Sequence, residues 1–490
     1  MAEYHVENFG CRASRADGEA IAANLRRRGL APAQAPDTAH VVIVNTCSVT
    51  AEADRQARAY MRRVRRQNPT ARIVVTGCYA QRAPEELAAL PEVDAVVGNS
   101  HKSLVAEVAL DLAAASNLPG SLVPLSALVP RVLHDDSFAH SELAALPFSP
   151  DAQQTRPNLK VQDGCGNRCS FCIIPTTRGH SRSIPLATCL DNVRRFVDQD
   201  GKESARGGGM ENARGGGKEL VLSGINLGRW GRDLTPTHRF EDLVAAILRA
   251  TALPRLRLSS IEPMDWSPDL LLLYREYAAE GPELSALRSP LSAPFHPRLA
   301  RHAHLPLQSG SDTILRRMHR RYRPWHYAER LSALRALLPD AAIGADVMIG
   351  FPGETDALFQ ESCDFIAAQP FTYLHLFPFS ARPGTPAWEL HRQQPVPARA
   401  VQERMATLRA LMAEKSRVFR RRFLGRTLSA VTMDTAPDGR TDAMSDNFLR
   451  LSLADPAGIP IPANQLVAAH ITALTADGLA GAVAASAPLQ

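Results

Sequence analysis

The chain has 490 residues, too many for one ordinary hydrophobic core, so about three domains are expected. Apolar residues make up 45%, enough for globular packing, yet no apolar run reaches the roughly 18 residues of a membrane span. A net charge of +6 and only eight cysteines exclude a strongly acidic chain and a disulfide-stapled scaffold.

The start, MAEYHVENFG, has two acids and lacks the basic-then-apolar order of an export signal, so a cytoplasmic protein with no membrane partner is expected. Residues 1–114 then alternate between strand and helix patterns. Strands are predicted over 4–8, 41–44, 73–76 and 93–97, and helices over 19–28 and 52–66. This alternation implies a parallel α/β domain. Residues 115–150 show no clear period, hold several Pro and Ser residues, and read as a connector.

A second α/β run fills 151–396. Its predicted strands are 158–162, 219–223, 255–259, 302–307, 343–349 and 373–377. Six β/α units suggest a partial (β/α)6 barrel, with functional groups at the carboxyl ends of its strands. Two insertions break the pattern. Residues 201–218 hold ARGGG twice, and residues 281–298 are rich in Pro and Ser; both read as surface loops. Over 424–487, short strands at 427–433, 447–453, 465–474 and 479–483 suggest a small antiparallel β-barrel, a fold that often binds oligonucleotides.

Cysteines carry the chemistry. Cys165, Cys169 and Cys172 stand in GCGNRCSFCIIP, directly after the strand-like NLKVQ. Thiolates are soft ligands that suit iron–sulfur clusters and zinc. Zinc wants four ligands, and His180 could close a Cys3His site. Three thiolates alone leave one metal position open. Phe171 puts an aromatic ring beside that metal. Cys11 in NFGCRAS, Cys47 in VNTCSVT and Cys78 in VTGCYAQ each follow a strand-like run. Strand ends share one edge in a parallel sheet, so three remote thiols can converge there. Cys189 and Cys363 lie in helical pattern and read as small buried apolar residues.

The C-x3-C-x2-C spacing with its aromatic resembles the signature of radical S-adenosylmethionine enzymes. That resemblance implies a [4Fe–4S] cluster on Cys165, Cys169 and Cys172. Its open iron would chelate S-adenosylmethionine, and one electron would release a 5′-deoxyadenosyl radical. By the same resemblance, LSGIN (222–226), with Ser223 and Gly224, would meet the methionine amino group. SSIE (259–262), with Ser260 and Glu262, would meet the ribose. VMIGFPGE (347–354), with Ile349 and Gly350, would lie near the adenine. The amino-terminal constellation is similar to that of the methylthiotransferases. In that family three such cysteines, here Cys11, Cys47 and Cys78, hold a second [4Fe–4S] cluster. The likeness covers nearly the whole chain, including a terminal barrel that looks like the TRAM domain, and only the two insertions depart from it.

Members of that family modify adenosine 37 of tRNA or an aspartate of a ribosomal protein. HLPLQSGSDTILRRMHRRY (304–322) resembles the tRNA-directed branches. NTCSVT, VTGCYAQ and FPFSARPGTPA (377–387) resemble the branch that methylthiolates C2 of N6-threonylcarbamoyladenosine. The implied partners are the tRNA anticodon loop and an external electron donor, flavodoxin- or ferredoxin-like. Three basic runs support an RNA partner on physical grounds: Arg62, Arg63, Arg65 and Arg66; Arg316, Arg317, Arg320, Arg321 and Arg323; and Lys415, Arg417, Arg420, Arg421, Arg422 and Arg426. The alternatives are isopentenyladenosine or the ribosomal aspartate as target, and, from another class, a non-enzymatic zinc-bearing RNA-binding protein.

Overall fold

The structure, a computed structural model, describes residues 2–115, 131–138, 155–198, 216–278, 296–436, 439–455 and 461–483. Most of the predicted connector and nearly all of both predicted insertions lie outside the described residues.

The first sheet holds β1 (Glu3–Asn8), β2 (Ala31–Pro32), β3 (Val41–Thr46), β4 (Arg72–Gly77), β5 (Ala95–Gly98) and β6 (Arg131–Leu133). All pairs are parallel, in the order β2-β1-β3-β4-β5-β6. Alternate residues of a strand point to opposite faces. Val41 and Ile43 therefore pack with Ile21, Leu25 and Val105, while Val42 and Val44 pack with Met61, Val64 and Tyr79. Burial on both faces explains the unbroken apolar run VVIV.

Helix Arg12–Arg27 begins well before the predicted residue 19. Its first turns lack apolar periodicity because they pack through small and polar groups. Asn45 donates to the Ser14 carbonyl at 2.6 Å and to Asn8 Oδ1 at 3.0 Å. A Cβ on Gly18 would fall 1.7 Å from Asn8 Oδ1, so only glycine permits this approach. β6 lies inside the stretch read as a connector, and three largely exposed residues are too few to show a period.

The central region holds β7 (Asn158–Asp163), β8 (Arg182–Ser183), β9 (Glu219–Gly224), β10 (Arg255–Leu258), β11 (His302–His304), β12 (Ala342–Ile349) and β13 (Tyr373–Pro378). They form two sheets, β10-β9-β7-β8 and β11-β12-β13. A bridge from Leu256 to Leu299 and a hydrogen bond from the Ile261 amide to the His304 carbonyl (3.0 Å) join the two. Six parallel strands thus curve into an open barrel, as predicted, with β8 an additional antiparallel edge. Cys189 and Cys363 are buried in its core, in helices Leu186–Val197 and Asp356–Ala368.

The last domain is a closed barrel of β14 (Thr427–Thr435), β15 (Thr441–Ser445), β16 (Arg450–Ala454), β17 (Leu466–Leu474) and β18 (Leu479–Val483), ordered β14-β15-β16-β18-β17. The strand predicted over 447–453 is wrong in its first half. Phe448 takes φ +62° in a tight turn between β15 and β16. One pair, β16 with β18, is parallel, so the barrel is not wholly antiparallel as predicted. Among the described residues no helix is long and apolar enough to cross a membrane.

Buried ion clusters fasten the domains. Arg178, 1% exposed, reaches Asp17 of the first domain and Asp163 of the barrel, each at 3.0 Å. Lys102 and Lys160 also reach Asp17. Burial alone would raise the Asp17 pKa, but these three cations hold it well below the usual carboxylate range. Glu219 is opposed by burial too, yet Arg257 at 2.7 Å, with Arg156 and Arg255, holds it at about 2. Both carboxyls are depressed, so their stabilisation is complete above their ordinary values, 3.8 and 4.5, and is lost as pH falls below them. Glu219→Gln is expected to cost on the order of 3–5 kcal/mol at pH 7. Thermal melts should show that deficit shrinking as pH falls from 4.5 towards 2.

Candidate metal centre

β1, β3 and β4 are neighbours in register, Asn8 opposite Asn45 and Thr46 opposite Gly77. Their carboxyl ends deliver Cys11, Cys47 and Cys78 to one place. Two glycines make the approach possible. Gly10 sits at φ +110°, and a Cβ there would lie 2.8 Å from Cys47 Sγ. Gly77 sits at φ +100°, and a Cβ there would lie 2.3 Å from the Thr46 carbonyl oxygen. Burial pushes the Cys47 thiol up to about 12, with Cys78 and then Cys11 adding to the shift.

Cys165 follows β7, and its amide donates to the Gly179 carbonyl at 3.0 Å. Ser170 pins the loop to the helix Asp312–Arg317: its amide donates to Met318 O at 3.1 Å and its hydroxyl to Arg317 O at 2.7 Å. Burial pushes Cys172 up to about 12, with Cys169 and Cys165 adding, and raises Cys165 as well. Buried thiols this weakly acidic become thiolates when a metal takes the proton's place.

Donors surround both triads. Val49 N and Asn99 Nδ2 point at Cys47 and Cys78, each at 3.5 Å. Asn226 Nδ2 and the Asn167 amide reach Cys165 at 3.4 Å, and Arg320 Nη1 reaches Cys169 at 3.4 Å. Such N–H···S contacts stabilise thiolate charge and tune a cluster. Arg178 stands near Cys78 and Cys11.

Spacing separates a cluster from a single zinc. Four Zn–S bonds of about 2.3 Å at tetrahedral angles put sulfurs about 3.8 Å apart. Among the described residues only His304, Asp346 and His375 bring three ligand atoms within 4.8 Å of one another; neither cysteine triad does. In each triad at least one pair of sulfurs thus stands farther apart than a single zinc holds them, and three soft thiolates are the donor set of an iron–sulfur core. His180, the residue that could close a Cys3His zinc site, is exposed.

The predicted cofactor contacts spread over several places. Phe171 lines a cavity of about 200 Å³ that Cys78 and Cys172 also line. Ser223 is buried with its hydroxyl unpartnered, beside Gly224 at the end of β9. Ser260 is bonded to His304 Nδ1 at 2.7 Å, and Glu262 to Arg320 at 2.5 Å. Ile349 is 1% exposed, and the Gly350 amide is committed to Glu354 at 2.9 Å. Asn226 Oδ1 and Gln308 Oε1 are further orphaned polar atoms near Cys165 and in the cavity wall. With Ser223 they give a polar, charged ligand such as S-adenosylmethionine partners that protein alone leaves unmet.

The basic runs need correction. Arg320 is buried between Cys169 and Glu262, and Arg420 is spent on the carbonyls of Thr475, Ala476 and Gly478. Arg65 holds Asp94, while Arg422 and Arg426 hold Asp340. Local sequence density of arginine does not reveal these internal partners. Arg62, Arg63, Arg66 and Arg421 are exposed and form no ion pair among the described residues.

Two family models match the chain: Uncharacterized protein family UPF0004 over residues 3–98 and the Radical SAM superfamily over residues 159–366. The chain is 31% identical to threonylcarbamoyladenosine tRNA methylthiotransferase MtaB of Bacillus subtilis over 457 residues, covering 92% of this chain and 90% of the relative. It is 32% identical to the protein of that name from Aquifex aeolicus, covering 87% and 92%. It is 29% identical to a tRNA-2-methylthio-N(6)-dimethylallyladenosine synthase of Cereibacter sphaeroides, covering 97% of each. The solved radical S-adenosylmethionine methyltransferase TsrM from Kitasatospora setae superimposes with a TM-score of 0.54 at 14% identity, covering 80% of this chain and 78% of that one, a likeness of fold alone.

Proposed function

The chain belongs to the radical S-adenosylmethionine methylthiotransferase family, and from that premise we propose that it methylthiolates C2 of N6-threonylcarbamoyladenosine at position 37 of tRNA. The observation that carries this reading is one cavity lined by both Cys78 and Cys172, so that an adenine entering it meets both triads. Cys165, Cys169 and Cys172 are assigned the radical-forming cluster, and Cys11, Cys47 and Cys78 the auxiliary one. When bound, the two [4Fe–4S] clusters and S-adenosylmethionine supply a 5′-deoxyadenosyl radical and a methylated sulfur. Adenine C2–H is neither acidic nor easily displaced, which is why such chemistry is required.

The chain's own residues bind, orient and exclude water. Ser223, Asn226 and Gln308 offer S-adenosylmethionine their unmet polar atoms. Phe171, Gly224, Ser260 and Glu262 complete its contacts, with Ile349 and Gly350 placed near its adenine. Phe171, Met348 and Phe377 form an apolar wall that keeps water from a radical. The functional units are 1–114, 115–150, 151–396 and 424–487, with the terminal TRAM-like barrel and the exposed arginines Arg62, Arg63 and Arg66 holding the anticodon loop. Electrons come from a flavodoxin- or ferredoxin-like donor, and a tRNA substrate places the activity in the cytoplasm.

Nucleosides from the tRNA of a deletion strain test the reading. Loss of 2-methylthio-threonylcarbamoyladenosine, restored by the gene, is expected. Loss of the isopentenyl counterpart instead, or an unchanged profile, would contradict it.

A further inference from the structure

A second cavity, of about 410 Å³, opens beside Cys11. Both domains build it: Gly10, Cys11 and Arg12 follow β1, while Asn158, Val221 and Arg257 come from β7, β9 and β10. Arg15 and Arg156 complete a basic lining, and the lining residues include no acid.

The charge around it does not balance. Glu219 is fully buried and answers Arg257 at 2.7 Å, Arg255 at 3.5 Å and Arg156 at 3.6 Å. Arg12 adds its charge near Glu219, Arg257 and Tyr373. Arg12 and Arg15 are exposed, and their side chains form no hydrogen bond or ion pair among the described residues. One Arg255 nitrogen, Nη1, is buried without a hydrogen-bond partner. Four guanidinium groups, Arg12, Arg15, Arg156 and Arg257, thus line a concave space whose nearest carboxylate is Glu219, with Asp446 the next acid felt by Arg257, and low dielectric strengthens their field.

We propose that this arginine-lined cavity binds the α-carboxylate of the threonylcarbamoyl group and so selects that substrate over uncharged N6-substituents. The proposal rests on the functional reading above. C2 and C6, the carbon that carries N6, flank ring nitrogen N1, so a group on N6 stays near the carbon being modified. The cavity adjoins Cys11, a proposed ligand of the sulfur-bearing cluster. Guanidinium forks match carboxylates in two-point geometry. An isopentenyl group would leave them unpaired, the situation in which a polar site discriminates most strongly.

Anticodon stem-loops carrying the threonylcarbamoyl acid, its methyl ester, or unmodified adenosine test this with anaerobic holoenzyme, reading Kd and kcat/KM. Wild type is expected to prefer acid over ester on the order of 100-fold. Arg12→Gln, and separately Arg15→Gln, should cut that ratio to less than about 10-fold while iron content and affinity for the unmodified loop stay unchanged. An undiminished ratio in both variants would overturn the proposal. Equal weakening of all three RNAs with a shallower salt dependence would also overturn it, because the arginines would then hold backbone phosphate. A wild type inert on the acid but active on an isopentenyl loop would sink the functional reading itself.

Discussion

Cys47→Ala is expected to leave an enzyme that makes 5′-deoxyadenosine but no methylthiolated RNA. Cys47 is 5% exposed, follows β3 directly, and is central to its triad, interacting with both Cys78 and Cys11. Alanine leaves two thiols, too few to hold a four-iron core firmly. Iron should fall from about eight to about four per chain, the residual four sitting on the other triad. That triad keeps its ligands, its loop anchors at Met318 and Arg317, and its donors Asn226 and Arg320. Cleavage of S-adenosylmethionine under a chemical reductant should therefore stay within about threefold of wild type, well under the 1.4 kcal/mol that a tenfold change represents. Chromatography of the reaction mixture checks both products at once. Loss of 5′-deoxyadenosine together with the methylthio product would contradict the division of labour.

Cys172→Ala is expected to fail differently. Both products should disappear, by at least about 1,000-fold, equal to about 4 kcal/mol or more of lost barrier reduction. Iron should again drop to about four per chain, now from the auxiliary triad alone. Cys172 also lines the shared cavity, so the variant enlarges that space by one sulfur atom's volume without touching Cys78. Recovery of methylthio product in this variant would show that radical formation does not depend on its triad.

These contrasts show what the sequence could carry. That Cys11, Cys47 and Cys78 come to one sheet edge was legible because each follows a strand, and parallel strand ends share an edge. The barrel was legible because strand patterns alternate with helical ones along the chain, as Ala342–Ile349 precedes the helix Asp356–Ala368. β2, β6 and β8 were not, since two or three residues carry no period. The supporting groups were harder still. Asn99, Asn226, Arg178 and Arg320 reach their partners from distant segments, and nothing in a local window sets a buried arginine apart from an RNA-facing one. Arg320 is the clearest case: a basic run predicted phosphate, but its guanidinium is enclosed by Cys169, Glu262 and Tyr322. Nothing in the sequence marks the positive φ values of Gly10 and Gly77, which decide whether the sulfurs meet.

The most direct test of two three-cysteine cluster sites is the iron and acid-labile sulfide content of anaerobically reconstituted wild type, measured beside Cys47→Ala and Cys172→Ala. The expected result is about eight irons and eight sulfides per chain, and about four of each in either variant. About four irons in the wild type, or stoichiometric zinc in place of iron, would contradict it.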